Sequence, residues 1–338
     1  MAVKSDPLLV LKFRGGVIPE RMVWRIAGLF GPMYWPPVIL AALATFVGLD
    51  VLIIAQGGLG KIVPSALALV YKPALTLLVL ALILAAAAIH ECGHVSACRY
   101  GGATPGVMGF GLYLVWPALY STVTDSYRLG RVGRLRTDLG GIYFNAVFIA
   151  GMSVVYLYTG APWLLVAIVA LHIETTIQFL PMIRLDGYYI LSDIIGVPDL
   201  FSRVGPVLAS IIPGRATHPR VLELKPWVRR TIILWVLIAV PYLLYWFIGF
   251  LLIVPRVLPV VWHQLVELCQ AVSAAATAGH VAEAVLGAVQ IYLLLLPWVG
   301  SLLMLGMMAR RPVWGLRTRW SPTSLRIRRH DQELPDQD

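Results

Sequence analysis

The 338-residue chain is 59% hydrophobic and only 13% charged, with a formal net charge of +10 and a mean hydropathy of +0.80. A soluble domain carries about 25% charged residues, so this composition excludes an ordinary soluble fold and predicts an all-α polytopic membrane protein. The basic residues are grouped between apolar spans and no nucleic-acid motif accompanies them, so the excess charge reads as membrane topology rather than as a nucleic-acid surface.

Residues 1–26 mix Lys4, Asp6, Lys12, Arg14, Glu20, Arg21 and Arg25. They lack an apolar core followed by a small-residue cleavage site, which predicts an amphipathic cytoplasmic leader rather than a cleavable signal peptide. A helix needs about 20 apolar residues to cross the hydrocarbon. Residues 27–49 supply a first span, and residues 73–89, extended by the apolar 62–71, supply a second. The stretch 139–171 is too long for one span and is broken by Thr159-Gly160-Ala161-Pro162 into a third and a fourth. Residues 231–255 and 284–309 are the fifth and sixth, with Pro241 and Pro255 expected to kink or end the fifth. Six spans with a cytoplasmic amino terminus place 24 of the 27 Lys and Arg on the cytoplasmic side, leaving Lys61, Lys72 and Arg256 outside. That bias predicts a multi-pass protein of the cytoplasmic (inner) membrane with both termini inside.

Between the spans, the Gly- and Pro-rich stretch from Gly101 to Pro117 makes a poor spanning helix and predicts a re-entrant or extended segment. Arg128, Arg131, Arg134 and Arg136 read as the anchor before the third span. Residues 201–230 read as a basic cytoplasmic loop, and 310–338 as a basic cytoplasmic tail. Within the C-terminal membrane region, 231–309, the stripe Leu258, Val261, Leu265, Leu268 and Val272 predicts an interfacial amphipathic helix over 257–283. The membrane core, which holds the candidate chemistry taken up next, is then 27–200.

The chemistry concentrates in His90-Glu91-Cys92-Gly93-His94, directly after the apolar run Ala81–Ile89. Ionisable groups at membrane depth are functional-site candidates by default. On a helix His90 and His94 fall at i and i+4, so both imidazoles face one metal ion. Glu91 lies beside them without competing as a ligand, which suits a general base acting on metal-bound water. Two histidines do not complete a catalytic zinc site, and the remaining candidates at this depth are His172, Glu174 and Asp186. Cys98, one turn past His94, reads as a small packed residue. The second and fourth spans run in the same direction, which brings Asp186 of Leu185-Asp186-Gly187 to the level of the two histidines. Gly187 is expected to allow a tight backbone turn there.

HExxH at the end of one span, followed by LDG at the end of a later one, resembles the site-2 protease family of intramembrane zinc metalloproteases. Over residues 185–193 the chain resembles a bacterial subgroup linked to maturation or export of small peptides. The resemblance implies one zinc ion per chain held by His90, His94 and Asp186, with Glu91 as the catalytic base. The family's GPxxN motif stands here as Gly141-Ile142-Tyr143-Phe144-Asn145, with Ile142 in place of proline. It implies that Asn145 positions substrate or the oxyanion. Glu174 is then left as a partner that hydrogen-bonds a ligating histidine, or as a carboxyl bonded to a neighbouring helix. His172 reads as a satisfied interior histidine. The expected substrate is a small precursor peptide or membrane protein, cut beside the bilayer after an extended segment in 103–117 has unwound it by strand pairing. The competing reading is a non-catalytic membrane partner of a peptide modification or export system that keeps the metal as a clip. The intact Glu91 counts against it, since a clip needs ligands and no base.

Overall fold

The computed structural model describes residues 12–70, 72–113, 116–211, 219–222 and 224–319. It is 82% helical, and the chain is an all-α polytopic membrane protein carrying one small sheet. The expected basic tail beyond Arg319 and the first eleven residues of the leader lie outside the described residues.

The rest of the leader divides in two. Strand β1 covers Lys12–Ile18, and helix α1 covers Glu20–Phe30 with Val23 and Ala27 buried. A 3-10 turn over Gly31–Tyr34 and Pro36 at the helix start then open α2, Pro36–Ala55. The first span therefore begins at Pro36 rather than at residue 27, because Pro32 and Pro36 end one helix and start the next. That shift carries Asp50 into the membrane-spanning length.

Helix α3 covers Gly58–Val70 and α4 covers Pro73–Tyr100. The segment after α4 is extended, as the Gly and Pro content predicts. It forms the antiparallel hairpin β2, Met108–Tyr113, and β3, Trp116–Ser121, in register Met108↔Ser121. β1 pairs with the other edge of β2, giving the order β1-β2-β3. β3 lies against α4.

After a 3-10 turn at Thr124–Arg128 come α5, Arg131–Asp138, and α6, Gly140–Thr159. Gly160 ends α6 in the left-handed region, φ 64°, and Pro162 starts α7, Pro162–Gln178. The break expected at Thr159–Pro162 thus falls where Gly accepts the C-terminal turn and Pro the first turn of a helix. Helices α8, Asp186–Ile195, α9, Phe201–Ile211, and α10, Pro219–Leu222, follow. The last two are α11, Pro226–Thr277, and α12, Val281–Arg319. α11 runs unbroken through Pro241, Pro255 and Pro259. The separate interfacial helix expected over 257–283 is instead the continuation of α11 to Thr277 and the start of α12 at Val281.

Five helical stretches among the described residues are long and apolar enough to cross a membrane: Pro36–Ala55, Ala74–Tyr100, Gly140–Thr159, Pro226–Gly249 and Val281–Gly300. α7 stands where the fourth span was expected, apolar but only 17 residues long.

Packing centres on α4 and α6. Ala86 of α4, Ile149 and Met152 of α6, and Leu165, Ile168 and Leu171 of α7 share one buried cluster. The α4–α6 crossing is glycine against glycine: Gly93 and Gly140 approach so closely that a Cβ on either would enter the other's carbonyl group. The Tyr34 hydroxyl donates to both carbonyls, 2.8 Å to Gly93 and 3.4 Å to Gly140. A second cluster joins Tyr188 of α8, Val207 of α9 and Ile232, Trp235 and Val236 of α11.

Candidate metal centre

His90 and His94 lie on the buried side of α4, 7% and 9% exposed. Their rings meet edge to face, with Nε2 atoms 3.1 Å apart. Asp186, the first residue of α8, brings its carboxylate to both: Oδ2 is 3.2 Å from His90 Nε2, and Oδ1 is 3.5 Å from His94 Nε2. One ligand atom from each of the three lies within 4.8 Å of the others, a group that could hold a metal ion.

The surroundings decide which atoms face inward. His94 Nδ1 is 2.8 Å from the Thr137 carbonyl, and a carbonyl only accepts, so Nδ1 carries the proton and Nε2 keeps its lone pair for the centre. Three electron-pair donors, two imidazole nitrogens and a carboxylate, then converge in a buried space. Gathering them there is costly unless a cation sits among them. An N, N, O set suits zinc. Gly141 opens the fourth side: a Cβ at this position would collide with Nε2 of both His90 and His94. The donor chemistry and the glycine cradle both fit a metal.

The loop and helix that deliver Asp186 are pinned from behind. Tyr188, 1% exposed, donates to Asp199 Oδ1 at 3.1 Å and accepts from the Leu200 amide at 2.9 Å. Arg184 donates to the same Asp199 oxygen at 3.2 Å, and the Trp235 indole donates to the Pro181 carbonyl at 3.0 Å. Gly187 serves a different purpose from the tight turn expected of it. It has no positive φ, sits inside α8, and packs against the end of α7, where a Cβ would enter the Phe179 carbonyl.

Glu91 follows His90 on α4 and is half-buried. It lies outside the three-residue group. Cys98 is fully buried in α4 and is no part of the group either.

Asn145 is 2% exposed, and its amide donates to Glu174 Oε2 and Thr175 Oγ1, both at 3.1 Å. Glu174 Oε1 accepts from Gln178 Nε2 at 2.7 Å. Among the described residues Glu174 bonds α6 and its own helix rather than a metal-facing histidine. The same bonds occupy the amide donor that an oxyanion would require of Asn145.

His172 lies apart from the metal group. Its Nε2 is 3.1 Å from Asp50 Oδ2 and its ring stacks on Phe46 at 5.5 Å. Asp50 escapes a sequence reading that ends the first span at residue 49. The 3-10 turn and Pro36 that move the span by several residues are the missing signal. His172 also lines a cavity of about 700 Å³ between α2, α5, α6 and α7, walled by Leu43, Ile142, Ala146 and Ile149. None of His90, Glu91, His94 and Asp186 lines it.

No family model matches the chain, and no solved structure matches it. One curated relative is "Putative peptide zinc metalloprotease protein YydH" of Bacillus subtilis (strain 168), 28% identical over 105 residues. The match covers 30% of this chain and 42% of the relative. The chain therefore spans about two fifths of that protein's length.

Proposed function

We propose that the chain is a zinc-dependent membrane endopeptidase of the site-2 protease type, cutting a small precursor peptide or membrane-associated protein at the cytoplasmic side of the bilayer. The observation that carries this reading is the convergence of His90, His94 and Asp186, from helices 92 residues apart at their nearest ligands, beside a glutamate that does not join them. The relative named as a peptide zinc metalloprotease supports the same reading.

His90, His94 and Asp186 would hold one zinc ion, which when bound supplies Lewis acidity and an ionisable water. The Thr137 carbonyl fixes the His94 tautomer, and buried surroundings exclude bulk water from the ligands. Glu91 takes the proton released as water attacks the peptide carbonyl, then delivers it to the leaving amine. The C–N bond breaks, and the amine leaves neutral. A helical substrate presents no free carbonyl, so it must be unwound first. β3 is an edge strand lying against the metal-bearing α4, and strand addition to such an edge would hold a substrate extended. The Glu174 and Thr175 contacts hold Asn145 at the α6–α7 seam, where it would align the substrate-facing side of α6.

The test is Glu91→Gln in the full-length protein. The variant should retain zinc at the wild-type ratio and lose cleavage, and mass spectrometry should reveal the uncut precursor accumulating in cells. Normal peptide maturation by a zinc-loaded Glu91→Gln protein would refute the protease and leave the metal as a clip.

A further inference from the structure

Two helix faces meet beside the metal group. On α5, Arg134 stands one turn before Thr137 and Asp138. On α8, Asp186 and Asp193 are seven residues apart, two turns along one face. The faces are joined by an ion pair: Arg134 Nε donates to Asp193 Oδ1 at 3.0 Å, with side chains 21% and 13% exposed. A second donor of the same guanidinium reaches the Leu129 carbonyl at 3.1 Å. The rotamer of Arg134 is therefore fixed from its own side before it meets α8.

α5 thus touches the centre twice. It presents the Thr137 carbonyl to His94, and it holds the helix whose first residue is Asp186. Apart from the imidazole of His90, no polar partner among the described residues meets Asp186 Oδ2, so its place depends on where α8 is seated. Tyr188 and its partners hold α8 toward α9 and α11. Toward the side of the histidines it is held by the contacts of Asp186 itself with His90 and His94 and, two turns further along α8, by the Arg134–Asp193 pair.

We infer that Arg134 is a positioning residue for the metal centre, seating α8 through Asp193 so that the Asp186 carboxylate meets His90 and His94. This rests on the reading that those three residues hold zinc. A basic residue in this run therefore does more than mark membrane orientation. Arg128, by contrast, has a side chain 80% exposed and, among the described residues, pairs with Asp125 three residues before it.

Partners that orient metal ligands are worth about 10- to 100-fold in affinity. The experiment measures zinc affinity of the purified full-length protein by chelator competition, and the visible spectrum of its cobalt-substituted form. Arg134→Gln should weaken zinc about 10- to 100-fold and shift the cobalt spectrum toward that of Asp186→Ala. Asp193→Asn, which preserves shape and one acceptor, should move both in the same direction by less. In an Asp186→Ala background, Arg134→Gln should add nothing, because the ligand it positions is gone. A loss of equal size in that background would mean a general brace and overturn the inference, as would an Arg134→Gln affinity within about twofold of wild type, well below the expected loss. Should Arg134→Gln not fold, Asp193→Asn alone decides, by the same comparison in both backgrounds. Wild-type protein that binds no zinc would overturn the metal reading itself, before Arg134 is in question.

Discussion

Gly141→Ala separates packing from metal binding more sharply than any ligand deletion. In a helix interior Ala is favoured over Gly by about 1 kcal/mol. Against that gain stands overpacking, which costs about 1–3 kcal/mol in a well-packed interior. At Gly141 the added methyl meets Nε2 of His90 and Nε2 of His94, both buried and both held by helix α4. The two terms leave a net destabilisation of about 0–2 kcal/mol, which a folded membrane protein tolerates. The metal cannot tolerate it equally, since the obstructed atoms are the proposed ligand atoms. Zinc affinity should fall at least about 10-fold, as when ligand orientation is disturbed. Gly151→Ala, ten residues along the same helix, is the matched control. Its Cβ would meet nothing within 4 Å, so that variant should be stabilised by up to about 1 kcal/mol with zinc unchanged. Chelator competition and thermal melts with and without EDTA read both quantities. If Gly141→Ala kept wild-type zinc affinity and melted like Gly151→Ala, α6 would not press on the imidazoles and the cradle argument would fail.

Asp186→Ala should strip zinc under chelator concentrations that leave the wild type loaded, checked by metal analysis after dialysis. Glu91→Gln should hold zinc while turnover drops about 10²–10⁴-fold, the usual cost of losing a general base, measured on an accumulated precursor. Tyr34→Phe, which removes the hydroxyl shared by the Gly93 and Gly140 carbonyls, should lower stability by about 1 kcal/mol in a thermal melt. Burial, and then the neighbouring Asp193 carboxyl, push the Asp138 carboxyl up to about 8. A raised carboxyl pKa means that the folded state holds the proton longer. Its stabilisation is present below the ordinary carboxylate pKa and is lost as pH rises to about 8. Asp138→Asn should flatten that decline in melts taken from pH 5 to 9.

The histidine pair and the depth of Asp186 were legible in sequence because both rest on periodicity. An i, i+4 spacing fixes one helix face, and the expectation that the second and fourth spans run the same way put Asp186 at the level of the histidines. The break at Gly160 and Pro162 was legible because each residue type suits one end of a helix. Position along α2 was not, since hydropathy does not register where a 3-10 turn ends, and Asp50 was lost with it. The unbroken α11 ran against proline's usual effect at Pro241 and Pro255. The tasks of Gly187 and Gly141 were invisible for a different reason. Each answers to an atom far away in the chain, the Phe179 carbonyl and two imidazole rings, and no local pattern records that. The Arg134–Asp193 pair belongs to the same class, 59 residues apart.

The Gly93–Gly140 crossing has a consequence in genetic terms. A side-chain clash in a core can be relieved by trimming the neighbour, and revertants of such lesions are common. Here the first obstacle to a Cβ at Gly93 is the Gly140 carbonyl group, and the obstacle at Gly140 is the Gly93 carbonyl group. Every amino acid carries that group. No substitution at the facing position makes room, so a lesion at either glycine should have no local suppressor, and rescue would have to come from true reversion.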